Sequence, residues 1–310
     1  MKILFMGTPE ISATVLKRLI DDGKQIVGIA TREDKPRGRG NVMTPTPVKL
    51  LGEKYGIPTV TPKSLKDEDF RAFLETCAPE LIVVVAYGKI LPREVLEYPK
   101  YGCINLHVSL LPKYRGAAPM QRAIMAGERE TGVTVMYMNE GLDTGDIIST
   151  ESFAITATDD FEAIHDRSAE IGSLLLSRTV DEIAAGTSKR TPQDDSQASY
   201  AAKIEKSDCR IDFKKDAREL DCIIRGVTPI PGAFAYLDGR MIKICRATPT
   251  DKNGACGEVI ALDSTNDGSI LIGCGKGSLS VSALIPEGKG RMSAADFIRG
   301  RKVNLGDVFE

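Results

Sequence analysis

The sequence contains no tryptophan and only two histidines among its 310 residues. It has no apolar run near the ~20 residues that a membrane-spanning helix needs. Its net charge is only −2, so any nucleic-acid partner must be held by a local basic patch. The seven cysteines follow no CxxC or other metal-ligand spacing, and their odd number argues against a complete set of disulfides. These shortages favour a protein of the reducing cytoplasm without a membrane span or a zinc motif.

Apolar and helix-like stretches alternate through the first half of the chain. The strand candidates read KILFMG, QIVGIAT, LIVVVAYG, GCINLHVSLLP and GVTVMYM, and the helical stretches include PVKLLGEKYG and PMQRAIMAG. LIVVVAYG is almost wholly apolar, which is typical of a strand buried on both faces. This alternation predicts an α/β fold with an open, mostly parallel, doubly wound Rossmann-like sheet, in which ligands bind at the carboxyl ends of the strands.

The second half of the chain has a different texture. An amphipathic helix is expected over roughly residues 159–186, and a polar, breaker-rich stretch follows it. Beyond that stretch, Asp238–Gly239, Asp267–Gly268 and Gly275–Gly277 are hairpin signals between short strands. We therefore expect a first domain at 1–188, a linker at 189–206 and a small C-terminal β-barrel at 207–310.

The stretch INLHVSLLP holds one of the two histidines. If it ends a strand, Asn105 and His107 point to the same face, because strand side chains alternate. Asp143 lies in the glycine-flanked loop GLDTGD after the next strand. An amide, an imidazole and a carboxylate in one crevice suit acyl transfer. The amide and the imidazole hold a developing oxyanion, and the carboxylate orients the imidazole or relays a proton.

Other interpretations of this stretch stay open. Ser109 also lies two residues from the histidine, but no GxSxG elbow surrounds it. Cys103 precedes the asparagine by two residues, so a covalent Cys–His mechanism is an alternative. A pair of satisfied polar residues at a strand end would look the same in sequence. The stiff loop SLLPKYRGAAP, which is built to present groups, favours a functional site.

Six segments carry a specific pattern: MKILFMGTPEIS, DKPRGRG…TPTPVK, VVAYGKILP, INLHVSLLPKYRGAAP, GLDTGD and IRGVTPIPGA. In these segments the chain resembles the folate-dependent formyltransferases over roughly residues 1–310. The resemblance implies a Rossmann-like domain for the co-substrate 10-formyltetrahydrofolate, with no metal, and a C-terminal barrel similar to an OB fold. It maps the catalytic residues of the family onto Asn105, His107 and Asp143.

The resemblance also implies residues that bind the two substrates. The folate residues lie in three loops: Tyr87, Gly88, Lys89, Ile90 and Leu91; Ser109, Leu110, Leu111 and Pro112; Asn139, Glu140, Gly141 and Leu142. The implied partner is initiator methionyl-tRNA, and its expected contacts are Arg37 and Arg39 in the basic loop 31–49, together with Lys203, Lys206, Arg299 and Arg301. Many members carry a tryptophan where this chain has Ile230, which we interpret as a change in the packing of the second domain.

Three other functions compete with this interpretation. A formyltransferase for an amino-sugar nucleotide shares the Asn-His-Asp set but does not need the loop around Arg39. A non-catalytic RNA-binding protein built on the barrel does not explain that set. A nucleotide-dependent oxidoreductase is disfavoured, because the first turn reads GTPEIS rather than GxGxxG. We expect a cytoplasmic, monomeric transferase that supports translation initiation and needs neither a membrane nor a metal.

Overall fold

Strands and helices alternate along the computed structural model, which describes residues 1–37 and 40–310. Up to residue 201 the elements are β1 (Lys2–Gly7), α1 (Glu10–Asp21), β2 (Gln25–Ala30), β3 (Lys35–Arg37), β4 (Val42–Thr44), α2 (Pro47–Tyr55), β5 (Thr59–Val60), α3 (Glu68–Cys77), β6 (Leu81–Val85), α4 (Arg93–Leu96), β7 (Cys103–His107), β8 (Arg115–Gly116), α5 (Pro119–Met125), β9 (Glu130–Tyr137), β10 (Ile147–Ala154), α6 (Phe161–Ala185) and β11 (Tyr200–Ala201). Beyond it they are α7 (Ala217–Val227), β12 (Ala233–Leu237), β13 (Arg240–Thr250), β14 (Val259–Leu262), β15 (Ile270–Gly273), β16 (Ser278–Pro286), β17 (Met292–Ser293) and α8 (Ala294–Arg299).

A seven-stranded sheet with the order β10-β9-β7-β6-β1-β2-β5 dominates the first half. The pairs β1–β2, β1–β6, β2–β5 and β6–β7 are parallel, and β7–β9 is antiparallel. The predicted doubly wound, mostly parallel sheet is therefore confirmed. The chain first builds outward from β1 through β2 and β5, and then returns to β6 on the other side. This switch leaves a crevice beyond the carboxyl ends of β1 and β6.

Burial explains why the central strand β6 is apolar along its whole length. Leu81, Val83 and Val85 pack into one hydrophobic cluster. Ile82 and Val84 pack into a second cluster that lies on the opposite face. Alternate residues thus enter different cores, and this two-sided burial requires the unbroken run that the sequence shows. The long helix α6 covers the first of these cores, as the amphipathic pattern predicts.

The second half forms an antiparallel sheet with the order β12-β13-β16-β15-β14, and β17 pairs with β16. Each of the three hairpin signals lies between consecutive strands of this sheet. Asp238 and Gly239 have φ values of +49° and +72°, the left-handed pair that a two-residue hairpin turn requires.

The C-terminal segment joins the two edges of this antiparallel sheet. Phe309 pairs with Leu237 of β12, and Val308 pairs with Glu258 beside β14. The amide of Val259 also donates to the carbonyl oxygen of Asp307 at 2.8 Å. Because both edge strands pair with one short segment, the sheet closes into the small barrel that the turn pattern predicts.

Two compact units divide the described residues. The first comprises Met1–Gly116, Thr131–Phe153 and His165–Ala201, and the second comprises Ala117–Glu130, Ala154–Ile164 and Ala202–Glu310. The domain boundaries expected at 188 and 206 stay a prediction.

Ile230 is 74% exposed, so it fills no core, and our interpretation of this position as a packing change is wrong. No helix in the described ranges is both long and apolar enough to cross a bilayer.

Candidate active site

Two polar side chains lie near the carboxyl end of β7. Asn105 pairs with Val84 of β6 and Met136 of β9, and His107 lies two residues further on, opposite Thr134. Because strand side chains alternate, Asn105 and His107 share one face of the sheet, as the period of two predicts. His107 is buried and Asn105 is half-buried. Both residues belong to the first unit and lie near the carboxyl ends of the parallel strands of its sheet.

Both ring nitrogens of His107 face oxygen atoms. Nε2 lies 2.9 Å from the carbonyl oxygen of Tyr114. A carbonyl only accepts, so the hydrogen-bond network assigns a proton to Nε2. Nδ1 lies 3.6 Å from Oδ2 of Asp143, which is beyond hydrogen-bond distance. Nδ1 is therefore the ring nitrogen that is left to meet a substrate.

Asp143 is held in an unusual backbone conformation. Its φ is +54°, in the left-handed region that few residues other than glycine adopt. The amide of Gly116 donates to Oδ2 of Asp143 at 2.8 Å, which fixes the carboxylate beside His107. The loop before it is also ordered, because Oδ1 of Asn139 accepts from the hydroxyl of Thr144 at 2.9 Å. The three predicted catalytic residues thus meet at one edge of the sheet.

The loop after β7 is tied to the sheet by hydroxyl groups. Ser109 is fully buried, and its hydroxyl donates to the carbonyl oxygen of Lys113 at 2.7 Å. Thr134 donates to the carbonyl oxygen of Ser109 at 2.7 Å, and its hydroxyl accepts from the amide of Leu111 at 3.2 Å. The side chain of Leu111 is also buried. The buried side chains of Ser109 and Leu111 therefore anchor the loop to the sheet. A ligand would contact the backbone of this loop.

The thiol of Cys103 does not share the site. It is buried, and Sγ lies 3.5 Å from the carbonyl oxygen of Val95. Burial raises the pKa of the Cys103 thiol to about 12, so the nucleophilic thiolate is scarce at neutral pH. The covalent Cys–His alternative loses its support.

Family comparisons agree with the fold. A family model described as formyl transferase matches residues 1–180, and one described as formyl transferase, C-terminal domain, matches residues 203–302. The chain belongs to the formyl transferase family. A curated "Methionyl-tRNA formyltransferase" from Citrifermentans bemidjiense is 43% identical over 99% of this chain and 96% of its own length. One from Parvibaculum lavamentivorans is 45% identical over 99% of both chains.

Solved structures share the formyl transferase fold at low sequence identity. HypX from Aquifex aeolicus in complex with tetrahydrofolic acid is similar with a TM-score of 0.66 at 19% identity, over 96% of this chain and 46% of that chain. This chain thus spans about half the length of HypX. An N-formyltransferase from Helicobacter canadensis, in complex with folinic acid and dTDP-3-aminofucose, gives a TM-score of 0.67 at 19% identity over 91% and 98% of the chains. At this identity the likeness supports the fold alone.

The loop after β6, expected to bind folate in a formyl transferase, has a buried anchor and an exposed tip. Tyr87 is 1% exposed, and its hydroxyl is a buried oxygen without a hydrogen-bond partner in the part of the chain that is described. Burial raises the pKa of Tyr87 to about 12, and the nearby Arg32 opposes this shift. Ile90, at the tip, is 89% exposed. Gly88 has φ +77°, which turns the backbone between the anchor and the tip.

A basic cleft adjoins this loop. Its volume is about 540 Å³, and its lining residues are Lys63, Ser64, Leu65, Lys66, Lys89, Ile90, Pro92, Arg93 and Glu94. The ammonium group of Lys89 donates to the carbonyl oxygens of Pro62 and Lys63 at 2.5 and 2.7 Å. These bonds join the loops that follow β5 and β6.

The loop at Asn139–Leu142 adds a second exposed apolar side chain, because Leu142 is 62% exposed.

The basic residues expected to contact tRNA differ in whether neighbouring groups already compensate their charge. Lys203 and Lys206 are exposed, and Nζ of Lys206 lies 5.7 Å from the centroid of the Phe234 ring. Arg299 donates to Asp296 at 2.6 Å and to the carbonyl oxygen of Ser264 at 2.8 Å, so its charge is partly compensated. Arg301 is exposed. The side chain of Arg37 and all of Arg39 lie outside the described residues.

Sequence reasoning missed one residue beside the site. Gln193 comes from the stretch predicted as a linker, yet its amide contacts the backbone of Asp143 and Gly145. Nothing in its polar, breaker-rich neighbourhood distinguishes it from a surface residue.

All seven cysteines are free. Within the described ranges, no group of three or more His, Cys, Asp or Glu is arranged to hold a metal ion.

Proposed function

We propose that this chain transfers the formyl group of 10-formyltetrahydrofolate to the α-amino group of methionine on initiator tRNA, and so supports translation initiation. The names of curated relatives at 43% and 45% identity, matched over nearly the whole chain, support methionyl-tRNA as the acceptor. The tetrahydrofolic acid bound to HypX supports a folate as the donor. The observation that carries the chemistry is the 3.6 Å approach of Asp143 to Nδ1 of His107. Asn105 lies on the same face of β7 as this histidine.

The proposed step is direct attack by the neutral amine on the formyl carbon. A nitrogen–carbon bond forms, the bond from that carbon to N10 of the folate breaks, and the proton lost by the amine replaces the formyl group on N10. Negative charge develops on the formyl oxygen during the attack. The amide of Asn105 and the Nδ1–H of protonated His107 are the donors for this oxygen, since Nε2 is already bonded to Tyr114.

Asp143 is proposed to serve the proton side of the reaction. Its Oδ2 accepts from the amide of Gly116, which holds the carboxylate 3.6 Å from Nδ1 of His107. A carboxylate at this point also accepts the proton that the attacking amine must release. The arrangement thus pairs an oxyanion donor with a proton acceptor on one side of the formyl carbon.

The folate is proposed to bind along the three loops that follow the sheet. Ile90 and Leu142 offer exposed apolar side chains for the rings, while Tyr87 contributes through its backbone because its side chain is buried. The segments Tyr87–Leu91, Ser109–Pro112 and Asn139–Leu142 are proposed to contact a flat, polar-edged ring system through exposed apolar side chains and loop backbone, the mixture that is typical of ligand sites. The basic cleft beside Lys89 suits the carboxylates of the glutamyl end.

The tRNA is proposed to be held by Arg37 and Arg39 of the basic loop and by four residues of the second half: Lys203, Lys206, Arg299 and Arg301. Such side chains bind phosphates and add affinity that falls with salt. We further propose that the protein acts as a monomer in the cytoplasm. The seven free thiols support a reducing compartment.

A formylation assay with competing acceptors tests the proposal. The donor is 10-formyltetrahydrofolate, and the acceptors are methionyl initiator tRNA, methionyl elongator tRNA and an amino-sugar nucleotide. We expect transfer to the initiator tRNA alone, a loss of about 10²–10³ in kcat for Asn105→Ala, and a higher KM for tRNA with Arg39→Ala. Transfer only to the sugar nucleotide would keep the mechanism and overturn the substrate. No transfer by folded protein would overturn both.

A further inference from the structure

A glutamine and a buried arginine lie behind the loop that carries Asp143. Nε2 of Gln193 donates to the carbonyl oxygens of Asp143 and Gly145 at 2.9 and 2.7 Å. Oε1 of Gln193 accepts from Nε and Nη2 of Arg115 at 3.1 and 2.8 Å. Arg115 is only 2% exposed, although the sequence suggested a presented side chain. The side-chain amide of Gln193 therefore donates to the loop of Asp143 and accepts from the guanidinium of Arg115.

The guanidinium of Arg115 determines which way the amide of Gln193 points. A guanidinium has only donors, so the oxygen of the amide must face it. The NH₂ group is then forced toward the two carbonyl oxygens. A flipped amide would set donor against donor and oxygen against oxygen, which is unfavourable at this partly buried position. Arg115 thus acts on the loop through Gln193.

The loop needs such support at Asp143. Its φ of +54° lies in the left-handed region, and hydrogen bonds from its surroundings hold it there. Gln193 holds the carbonyl oxygen of Asp143, and the amide of Gly116 holds its carboxylate. Arg115 and Gly116 are neighbours in β8. This short strand therefore supports the backbone carbonyl of Asp143 through Gln193 and its carboxylate through the amide of Gly116.

The segment that carries Gln193 is itself fixed to β8. β11 pairs with β8 through Tyr200 and Arg115. The amide of Arg115 donates to the carbonyl oxygen of Ser199 at 2.8 Å, and the hydroxyl of Ser199 accepts from the amide of Tyr114 at 2.9 Å. Tyr114 in turn provides the carbonyl oxygen for His107. The same segment therefore bears on both His107 and Asp143.

We propose that Gln193, oriented by Arg115, is a positioning residue that sets the backbone of Asp143 and thereby the distance from its carboxylate to Nδ1 of His107. This inference rests on the proposed function, because it assigns Gln193 a part in the formyl-transfer step. It predicts an effect on kcat with little effect on substrate binding, since Gln193 reaches the reaction only through Asp143.

The central variant is Gln193→Glu. It keeps the side-chain length and the acceptor for Arg115, but it sets a carboxylate oxygen against two carbonyl oxygens. We expect kcat to fall about 10- to 100-fold, because a small displacement of a reacting group has effects of this size. KM for both substrates should stay within about threefold. Gln25→Glu is the matched control, because Gln25 is exposed at the start of β2, and it should leave kcat unchanged.

A double-mutant cycle separates positioning from general structural support. If Gln193 acts through Asp143, the Gln193→Glu change should have no further effect on kcat in an Asp143→Asn background. Additive losses in an active enzyme would overturn this inference alone, and so would an unchanged kcat for Gln193→Glu. An inactive wild type would overturn the proposed function and this inference with it. Gln193→Met, which lacks the donors and adds no charge, replaces the glutamate variant if that fails to fold.

Discussion

The carbonyl oxygen of Tyr114 lies 2.9 Å from Nε2 of His107, while Nδ1 of the same ring faces Asp143 at 3.6 Å. Tyr114 has φ +59°, so its carbonyl reaches the ring from a left-handed turn in the loop after β7. The loop thereby determines the orientation of the imidazole. Only one nitrogen of His107 is left for chemistry, and the two nitrogens can be tested separately.

Two replacements of His107 distinguish its nitrogens. The amide nitrogen of asparagine falls near the position of Nδ1, and that of glutamine falls near Nε2. We expect both variants to lose about 10²-fold or more in kcat, because both lack the cationic donor. His107→Asn should keep about tenfold more activity than His107→Gln, since it retains a donor on the side of Asp143. Single-turnover formylation rates measure the difference.

The ordering of these two variants is the decisive result. Equal rates, or a faster glutamine variant, would show that Nδ1 does not face the reacting oxygen. Urea unfolding of both proteins serves as the control, because the glutamine variant keeps a donor for the carbonyl of Tyr114 and the asparagine variant does not. The asparagine variant should therefore be the less stable protein and still the more active one.

Replacement of Cys103 tests the covalent alternative. The pKa of this thiol is raised to about 12 by burial, so at pH 7.5 its thiolate fraction is on the order of 10⁻⁴ or below. We expect Cys103→Ala to keep kcat within about threefold, with a modest loss of stability from the small cavity. N-ethylmaleimide followed by mass spectrometry should label the exposed Cys256 and spare Cys103. A loss of activity in folded Cys103→Ala would restore the covalent mechanism.

Local periodicity was enough to predict the core of the site. Asn105 and His107 lie on one face because strand side chains alternate, and β6 is apolar because both of its faces are buried. The hairpin turn at Asp238–Gly239 follows equally from local backbone preference. Each of these features depends on neighbouring residues alone, so a single sequence contains the information.

The features of the site that the sequence did not predict depend on contacts between residues distant in sequence. Gln193 and Asp143 are separated by 50 positions, and Arg115 and Gln193 by 78, so no local pattern joins them. Tyr114 and Asp143 adopt left-handed backbones that glycine usually supplies, and tertiary hydrogen bonds hold them there. The burial of Tyr87 has the same origin, because the core that receives its ring is built from several strands.

Tyr87→Phe tests whether this tyrosine anchors its loop or touches the folate. Its buried hydroxyl lacks a partner in the described part of the chain, so its removal should raise the free energy of unfolding by about 1 kcal/mol at pH 7.5. KM for folate should stay within about twofold. Leu142→Ala, which removes an exposed apolar side chain from a predicted folate loop, should raise that KM severalfold.

The pH dependence of the same variant gives an independent check. Burial raises the pKa of Tyr87 from 10.0 to about 12, so the folded protein favours the neutral phenol. The unfolded chain ionises first as the pH rises, and the stability of the wild type therefore falls from about pH 10 to 12. Tyr87→Phe should lose less stability between pH 7.5 and 10.5 in urea titrations. An identical loss in both proteins would show that the phenol is not desolvated.

Salt dependence tests the proposed tRNA contacts. A lysine that neutralises one phosphate adds about 0.7–0.9 to the slope of log affinity against log salt. We expect Lys206→Ala to reduce this slope by about that amount for initiator tRNA, without a change in KM for folate. Lys17→Ala is the charge-matched control, because Lys17 is paired with Asp21 on α1. Equal slopes for wild type and Lys206→Ala would remove Lys206 from the interface.

The C-terminal segment closes the barrel through a buried aromatic anchor. Phe309 is 3% exposed, and its ring centroid lies 6.2 Å from that of Phe213. Its truncation opens a cavity and loosens the segment that joins β12 to the β14 side, so Phe309→Ala should lose about 3–5 kcal/mol of unfolding free energy. Val308→Ala is the matched control, because the neighbouring Val308 is 52% exposed and should change stability by less than about 1 kcal/mol.

The measurement needs a probe confined to the second unit, since two compact units can unfold in separate transitions. The chain has no tryptophan, so Tyr236→Trp at a half-buried position of β12 supplies a single reporter there, whose emission changes when unfolding exposes the ring. In this background, fluorescence should show an earlier urea midpoint for Phe309→Ala than for Val308→Ala. Coincident midpoints would mean that the C-terminal segment does not hold the two sheet edges together, because a closing strand cannot lose its buried anchor without cost.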